Sequence, residues 1–521
     1  MERNRRDYCR SGSLGLKNSS GVESEALRLL AGFETDMKKH GVIFAAIQIF
    51  QDNFRKNGFL RGLGVLALIF WRNLVVQPFE KLREELRKEN SKRLNIDGFQ
   101  NVRKHRPDYM IPLLAGLLMI IGLVLMYSLS PQWAKFQNQS YGHEFGEYHF
   151  FNRQILMYGV GILAFGFFAR TSLGFFYKHS GKFLAVGIAA CLILFGLGFM
   201  EIISKQNIPL AKCEKGACRW LEAGISIQPA ELIKFGVLIA LSVFLGIKIK
   251  EKRVNNWKES ILPSVFLVAV MVALIAFPPQ KDLGTAMSAL AIVAFQFFVA
   301  GINKRNISIF GVLALIGVVG FIVMAPHRLE RISTFSKQED CSNLESSEKR
   351  EEYQICRAKI AAGSGGLLGL GIGRSVSTAG YLPEMINDSI FAAMGEIVGF
   401  VGLLAVLAIY LGLIYRILRI SNFMENPATR ILSAGIAGWF AVHTLMNIAA
   451  IIGIIPLTGI TIPLISYGGT SIVVISSILG LAFNASGYTT FSKKIYKEAE
   501  DENLGSRRRV RRSRDSRRGS F

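Results

Sequence analysis

About ten apolar runs occupy residues 110–490, starting near Met110, Ile155, Lys182, Pro229, Ile261, Gly284, Ile309, Ser389, Ile431 and Ser471. A helix needs about 20 such residues to cross the hydrocarbon of a bilayer. A soluble core is built from shorter, periodic stripes and does not need them. Two or three of the runs are shortened or interrupted by Pro and Gly. Charge content agrees: 19% of residues are charged, against about 25% in an average soluble domain, and half are apolar. The expected fold is an all-α polytopic membrane protein of about ten transmembrane helices.

A formal charge of +23 raises the question of nucleic acid, but its placement answers a different one. Lys and Arg gather before Met110, between Arg170 and Lys182, and at Lys248, Lys250, Lys252, Arg253 and Lys258. They recur at Lys304, Arg305, Arg416, Arg419 and Arg430, and in the C-terminal tail. Every second loop is therefore basic, which is the mark of cytoplasmic segments. An even span count puts both termini in the cytoplasm. The long polar stretch before the first strong span argues against a cleavable signal peptide there.

Three regions follow from this. Residues 1–108 form a cytoplasmic arm, in which Gly58 to Phe79 suits a helix lying on the bilayer surface. The charged stretch Glu80 to Arg93 suits a solvated helix with i,i+4 pairs. Residues 109–487 form the transmembrane domain. Residues 488–521 form a basic tail, disordered by composition, whose arginines suit anionic lipid headgroups better than nucleic acid. The longest outside segment, about Ala325 to Asp388, joins the seventh and eighth spans, and a loop of that length is usually functional.

The cysteines fit this orientation. Cys213 and Cys218 share one outside loop, and Cys341 and Cys356 share another. Two local disulfides are expected on the oxidising side, with four free thiols the alternative. Cys9 should stay reduced, and Cys191 lies inside a span.

Four constellations carry polar chemistry. Arg219 and Trp220 precede Gln228–Pro229–Ala230–Glu231–Leu232–Ile233–Lys234. Pro229 suits a helix start, and Glu231 and Lys234 at i,i+3 share a face just inside the membrane, where charges pair inward. They are either a structural ion pair or part of a site. Asp282, in Gln280–Lys281–Asp282–Leu283–Gly284–Thr285, is placed to cap a helix, which would account for it fully.

The third constellation is the long loop. It holds Arg328, Arg331, Phe335, Glu339 and Asp340, then a glycine track from Gly363 to Gly373, then Glu384, Asp388 and Glu396. Glycines there let backbone pack closely, and no dinucleotide-binding strand precedes them. Arginines beside carboxylates at a membrane surface suit an anionic, lipid-linked substrate. The fourth is Asn447 followed by Pro456–Leu457–Thr458–Gly459 and Pro463–Leu464–Ile465–Ser466–Tyr467–Gly468–Gly469. Such a segment at a membrane boundary reads as a re-entrant turn buried in protein. Ser466 and Tyr467 can donate to a substrate or to the carbonyls the turn frees.

In this order the four blocks resemble the SEDS family of peptidoglycan glycosyltransferases, which includes FtsW, RodA and SpoVE. The resemblance runs from about Pro107 to Ser486 and takes in Met126–Tyr127–Ser128 and Phe150–Phe151–Asn152–Arg153–Gln154. It implies polymerisation of lipid II by inverting β-1,4 transfer at the outer face of the cytoplasmic membrane. It implies Asp340 as the catalytic carboxylate, with Arg331, Arg219 and Lys234 steadying pyrophosphate, a divalent cation such as magnesium or manganese assisting. Glu231, Asp282, Glu384 and Asp388 are further site candidates. The Phe335-to-Asp340 spacing is one residue shorter than the family pattern, Cys341 stands where Pro is usual, and His443 stands where Gln is usual. Glu339 is the neighbouring alternative to Asp340. Ile372–Gly373–Arg374–Ser375–Val376–Ser377 and Tyr381–Leu382–Pro383–Glu384 look nearer the division-type FtsW pattern than RodA. Implied partners are a class B penicillin-binding protein transpeptidase, other division proteins and membrane lipids, with the septum as location. A lipid II flippase and a non-enzymatic scaffold are the rival functions.

Overall fold

The computed structural model describes residues 105–204, 210–214, 217–222, 226–323, 350–375 and 382–490. Contacts divide the chain into two units, Met1–Gly98 and Phe99–Phe521, and every described residue belongs to the second. Residues 1–104 with the surface helix, residues 491–521 of the tail, and Arg331, Glu339, Asp340 and Cys341 lie outside the described residues.

The described chain runs through helices α1 (Met110–Tyr141), α2 (His149–Arg170), α3 (Leu173–Lys178) and α4 (Ser180–Ser204). Strands β1 (Ala211–Glu214), β2 (Ala217–Glu222) and β3 (Ser226–Ile227) follow, and then α5 (Pro229–Lys250). A π-helical turn at Trp257–Ile261 leads into α6 (Leu262–Ala276), followed by α7 (Leu283–Val299) and α8 (Lys304–Val323). The rest is α9 (Arg350–Ser364), α10 (Ile390–Asn422), α11 (Pro427–Ile451) and α12 (Thr470–Ser486).

Among the described residues, seven helices are long and apolar enough to cross a membrane: α1, α2, α4, α5, α6 with its π-turn, α10 and α11. Helices α7 and α12 are apolar but have only 17 residues each. Helix α8 has 20 and covers the run at Ile309. All ten run starts thus fall in, or beside, an apolar helix. Burial separates the centre from the rim. The apolar windows of α11 and α5 are 72% and 61% buried, whereas the other five range from 28% to 39%. Trp439, Phe440 and Ile436 of α11 pack with Leu238 and Ile239 of α5, Tyr410 and Leu413 of α10, and Ile478 of α12. In lipid, outward apolar side chains need no cover, so a thin buried stripe per rim helix suffices.

Helices α4 and α5 meet backbone to backbone. A Cβ on Gly187 would fall 2.5 Å from Ile233 Cα, and one on Gly236 2.7 Å from Leu184 Cα. Dispersion along such a contact replaces the hydrophobic drive that lipid removes. Two inward amides spend their donors on neighbouring helices: Gln296 donates to Leu238 O and to Ser242 Oγ, and Asn484 donates to Phe168 O and Thr171 O.

The three strands are the departure from an all-helical chain. They form an antiparallel sheet, β1-β2-β3, with Cys213 opposite Cys218. These two cysteines are joined, as expected. Cys356 is also disulfide-bonded, while its expected partner Cys341 is not among the described residues. Cys191 is free and buried in α4.

Candidate active site

Helix α11 ends at Ile451 with Gly453 at φ 80° just beyond it, and the prolines and glycines from Pro456 to Gly469 keep the chain non-helical up to α12. The freed backbone groups are taken up by side chains from several helices. Asn447 Nδ2 donates to Ile460 O and Asp388 O, both at 2.7 Å. Ser466 Oγ accepts from the Ile462 amide at 2.9 Å. Gln154 Nε2 donates to Ser466 O, and its Oε1 accepts from the Gly468 amide. Tyr158 and Tyr410 donate to Leu464 O and Pro463 O. This is the re-entrant segment expected from the sequence, held inside protein as its backbone requires.

The starts of α2, α5, α7 and α12 gather against it. The Gln228 amide donates to Thr470 Oγ1 at 3.1 Å, and Thr470 Oγ1 donates to Ser226 O at 2.8 Å. Gln228 Nε2 reaches Asp282 Oδ2 at 3.5 Å. Arg153 Nη2 donates to Ser226 Oγ at 3.3 Å. Three of these helix starts, α5, α7 and α12, bring their positive dipole ends to one place, which favours anionic groups, and at α7 the Asp282 carboxylate already fills that role.

Within this head, Glu231 and Lys234 pair at 2.7 Å, their side chains 6% and 1% exposed. Lys234 Nζ also lies 3.3 Å from His443 Nε2 and 4.5 Å from the centre of the Trp439 ring. An ammonium only donates, so Nε2 accepts and the neutral imidazole carries its proton on Nδ1. One carboxylate oxygen, Glu231 Oε2, has no hydrogen-bond partner. It belongs to a narrow cleft of about 10 Å³, room for one water, lined also by His443, Thr461, Ser466 and Ser471.

The candidates from the sequence separate by role. Glu231 and Ser466 line the cleft, and Lys234 stands behind it on Glu231 and His443. Asp282 caps α7, accepting from the Thr285 amide at 3.0 Å and the Thr285 hydroxyl at 2.8 Å, and joins the head through Gln228. Asp388 joins through its backbone carbonyl on Asn447. Glu384 sits in the same turn with φ 51° and accepts from Asn387 at 2.6 Å. Arg219 bonds the backbone carbonyls of Gln280 and Lys281, at 3.3 and 3.5 Å, strapping sheet to turn. The Tyr467 ring packs edge-on against Phe150, and its amide donates to Ile386 O. Burial pushes the Tyr467 phenol up from its ordinary value, with the Arg153 charge pulling partly back. Arg153, Gln154, Gln228 and Trp439 were given no role from the sequence. A buried Gln early in an apolar run, as Gln154 is, was the available signal.

The described donors do not make a divalent-cation site. Glu231 is the cleft's only carboxylate and is already neutralised by Lys234. Glu201, Cys213 and Cys218 cluster elsewhere, but both sulfurs are spent in the disulfide.

A helical bundle with seven described helices apolar enough to cross a membrane and a buried polar head defines a polytopic membrane protein. The family described as Cell cycle protein, FTSW_RODA_SPOVE, matches residues 108–490, and this chain belongs to that family of multi-pass cell-membrane proteins. It is 30% identical over 390 residues to stage V sporulation protein E of Bacillus subtilis, covering 75% of this chain and 99% of that one. It is 31% identical over 393 residues to the probable peptidoglycan glycosyltransferase FtsW of Geobacter sulfurreducens, covering 74% and 97%. Among solved structures, a chain of a peptidoglycan synthase complex that coordinates polymerization and crosslinking aligns with a TM-score of 0.54 at 20% identity, covering 73% and 97%. The rod shape determining protein RodA of Thermus thermophilus aligns with a TM-score of 0.50 at 21% identity, covering 74% and 98%. These two likenesses concern the fold.

Proposed function

We propose that the chain is a peptidoglycan glycosyltransferase that polymerises lipid II at the outer face of the cytoplasmic membrane, in the division-type branch of its family and at the septum. The observation that carries this reading is the polar head, where three helix starts and the Glu231–Lys234–His443 group surround a re-entrant segment. That arrangement suits a pyrophosphate on a lipid anchor, since headgroup and anchor then meet protein and bilayer together. Family membership and relatives named as glycosyltransferases support the activity.

In the proposed reaction an acceptor sugar hydroxyl attacks the donor's anomeric carbon. The new C–O bond forms as the bond to pyrophosphate breaks, and the electron pair leaves with undecaprenyl pyrophosphate. The hydroxyl proton passes to a carboxylate, for which Asp340 is the candidate, and Arg331 is a candidate to steady the pyrophosphate. A class B penicillin-binding protein that crosslinks the product is the proposed partner, supported by the likeness to a synthase complex that pairs the two activities.

Purified full-length chain in proteoliposomes with labelled lipid II should yield glycan strands. Asp340→Asn should lower the rate by at least about 100-fold, the range removed with a general base. Full activity in Asp340→Asn with loss in Glu339→Gln would move the base by one residue. Lipid II translocation without strand formation would replace the reading with a flippase.

A further inference from the structure

Helix α10 is broken one-third of the way along, at Gly399, whose φ of 68° is not helical. The glycine track of the preceding segment fills the break. Leu370 N donates to Glu396 O at 2.9 Å and Gly371 N to Ile397 O at 3.0 Å. In return Phe400 N donates to Gly366 O at 2.9 Å and Val401 N to Leu367 O at 3.1 Å. The track thereby forms a hairpin spliced into the helix by four backbone hydrogen bonds.

Its side chains are apolar and turned outward. Leu367 is 70% exposed, Leu368 82% and Ile372 58%. They continue a stripe on α10 made by Phe400, Val401, Leu404 and Leu411, each about half exposed. Depth can be counted along the helix. Arg416 marks the other end, paired with Asp108 at 3.3 Å. At 1.5 Å per residue, the unbroken stretch from Arg416 back to Phe400 rises about 24 Å, most of a hydrocarbon layer of about 30 Å, so the break lies near the layer's far edge. Glu396 is the residue whose carbonyl holds Leu370. Arg374, exposed and just past Ile372, is where a guanidinium would meet lipid phosphate.

We propose that residues 366–372 are a lipid-embedded wedge, with Leu367, Leu368 and Ile372 in the acyl chains at the edge of the leaflet on the head side. Non-helical backbone is tolerated at that depth only when its polar groups are bonded within the protein, and the splice into α10 supplies those bonds. The occupant is acyl chain because the apolar surface is continuous with α10, a helix long and apolar enough to cross a membrane and only 28% buried over its apolar window.

The test is spin-label accessibility in the full chain carrying Cys9→Ser, in nanodiscs of phosphatidylethanolamine and phosphatidylglycerol, without reductant. Label is placed at Leu368→Cys or, as a second position, at Leu367→Cys, where exposure means little packing is lost. Collision with oxygen should exceed collision with a water-soluble nickel chelate several-fold, as at Leu411→Cys on the rim. At Lys252→Cys, in an exposed loop, the ratio should reverse. A ratio at both hairpin positions equal to that of Lys252→Cys would overturn the proposal. Protection from both reagents would overturn it as well, since protein and not lipid would then cover the hairpin.

Discussion

Lys234 holds a carboxylate, an imidazole and an indole face at once, almost wholly out of solvent. Removing it alone strands the Glu231 carboxylate, whose second oxygen already has no hydrogen-bond partner. Lys234→Met should therefore destabilise the protein by about 3–5 kcal/mol, the usual result of breaking a buried pair from one side. The double variant Glu231→Gln/Lys234→Met should recover most of that loss. Thermal unfolding in detergent reads both. The pair itself was legible, because Pro229 sets a helix start and i,i+3 spacing puts both charges on one face. Its neighbours were not. His443 and Trp439 come from a helix some two hundred positions away, and no local rule links them to Lys234. Arg219 shows another limit: its guanidinium bonds the backbone of Gln280 and Lys281, a contact that no local pattern announced.

Elements were legible wherever they face lipid, since a long apolar run has few other uses. Starts were read to within one residue at α7 and α12, whereas those of α2, α8 and α11 were placed late, because their first turns carry polar and charged residues. The sheet escaped notice altogether: its strands are short, and the cysteine pair pointed to a bridge without indicating strands. Residues 363–373 were recognised as glycines that allow close approach, and the structure supplies the neighbour in α10. Gly369 has φ 81°, and a Cβ there would run into the Ile397 carbonyl. Gly369→Ala should thus lose at least about 1–2 kcal/mol from backbone strain alone. Gly363→Ala, where a Cβ meets nothing, should not lower the unfolding temperature. Equal midpoints for the two variants would show that the splice contributes nothing to the stability of α10.

At the scale of the whole molecule, the alternation of basic loops sets the orientation, and Arg416, Arg419 and Arg430 lie at the opposite end from the polar head. A fluorescent protein fused after Phe521 should therefore mature and fluoresce in the cytoplasm, and alkaline phosphatase fused there should stay inactive. Active phosphatase would invert the chain and put the head on the wrong face for lipid II polymerisation. The hairpin closed by Cys213 and Cys218 bears on this orientation too. Its ring is small, with a sequence separation of 5, so it adds little to the stability of the whole fold. Strand β2 is nonetheless what grips the turn before Asp282, through Cys218 N on Pro279 O and Arg219 on Gln280 O. The bond thus ties the finishing of the head to the oxidant supply of the compartment it faces. A host without thiol oxidation beyond its membrane would insert a complete bundle with an unfastened strap.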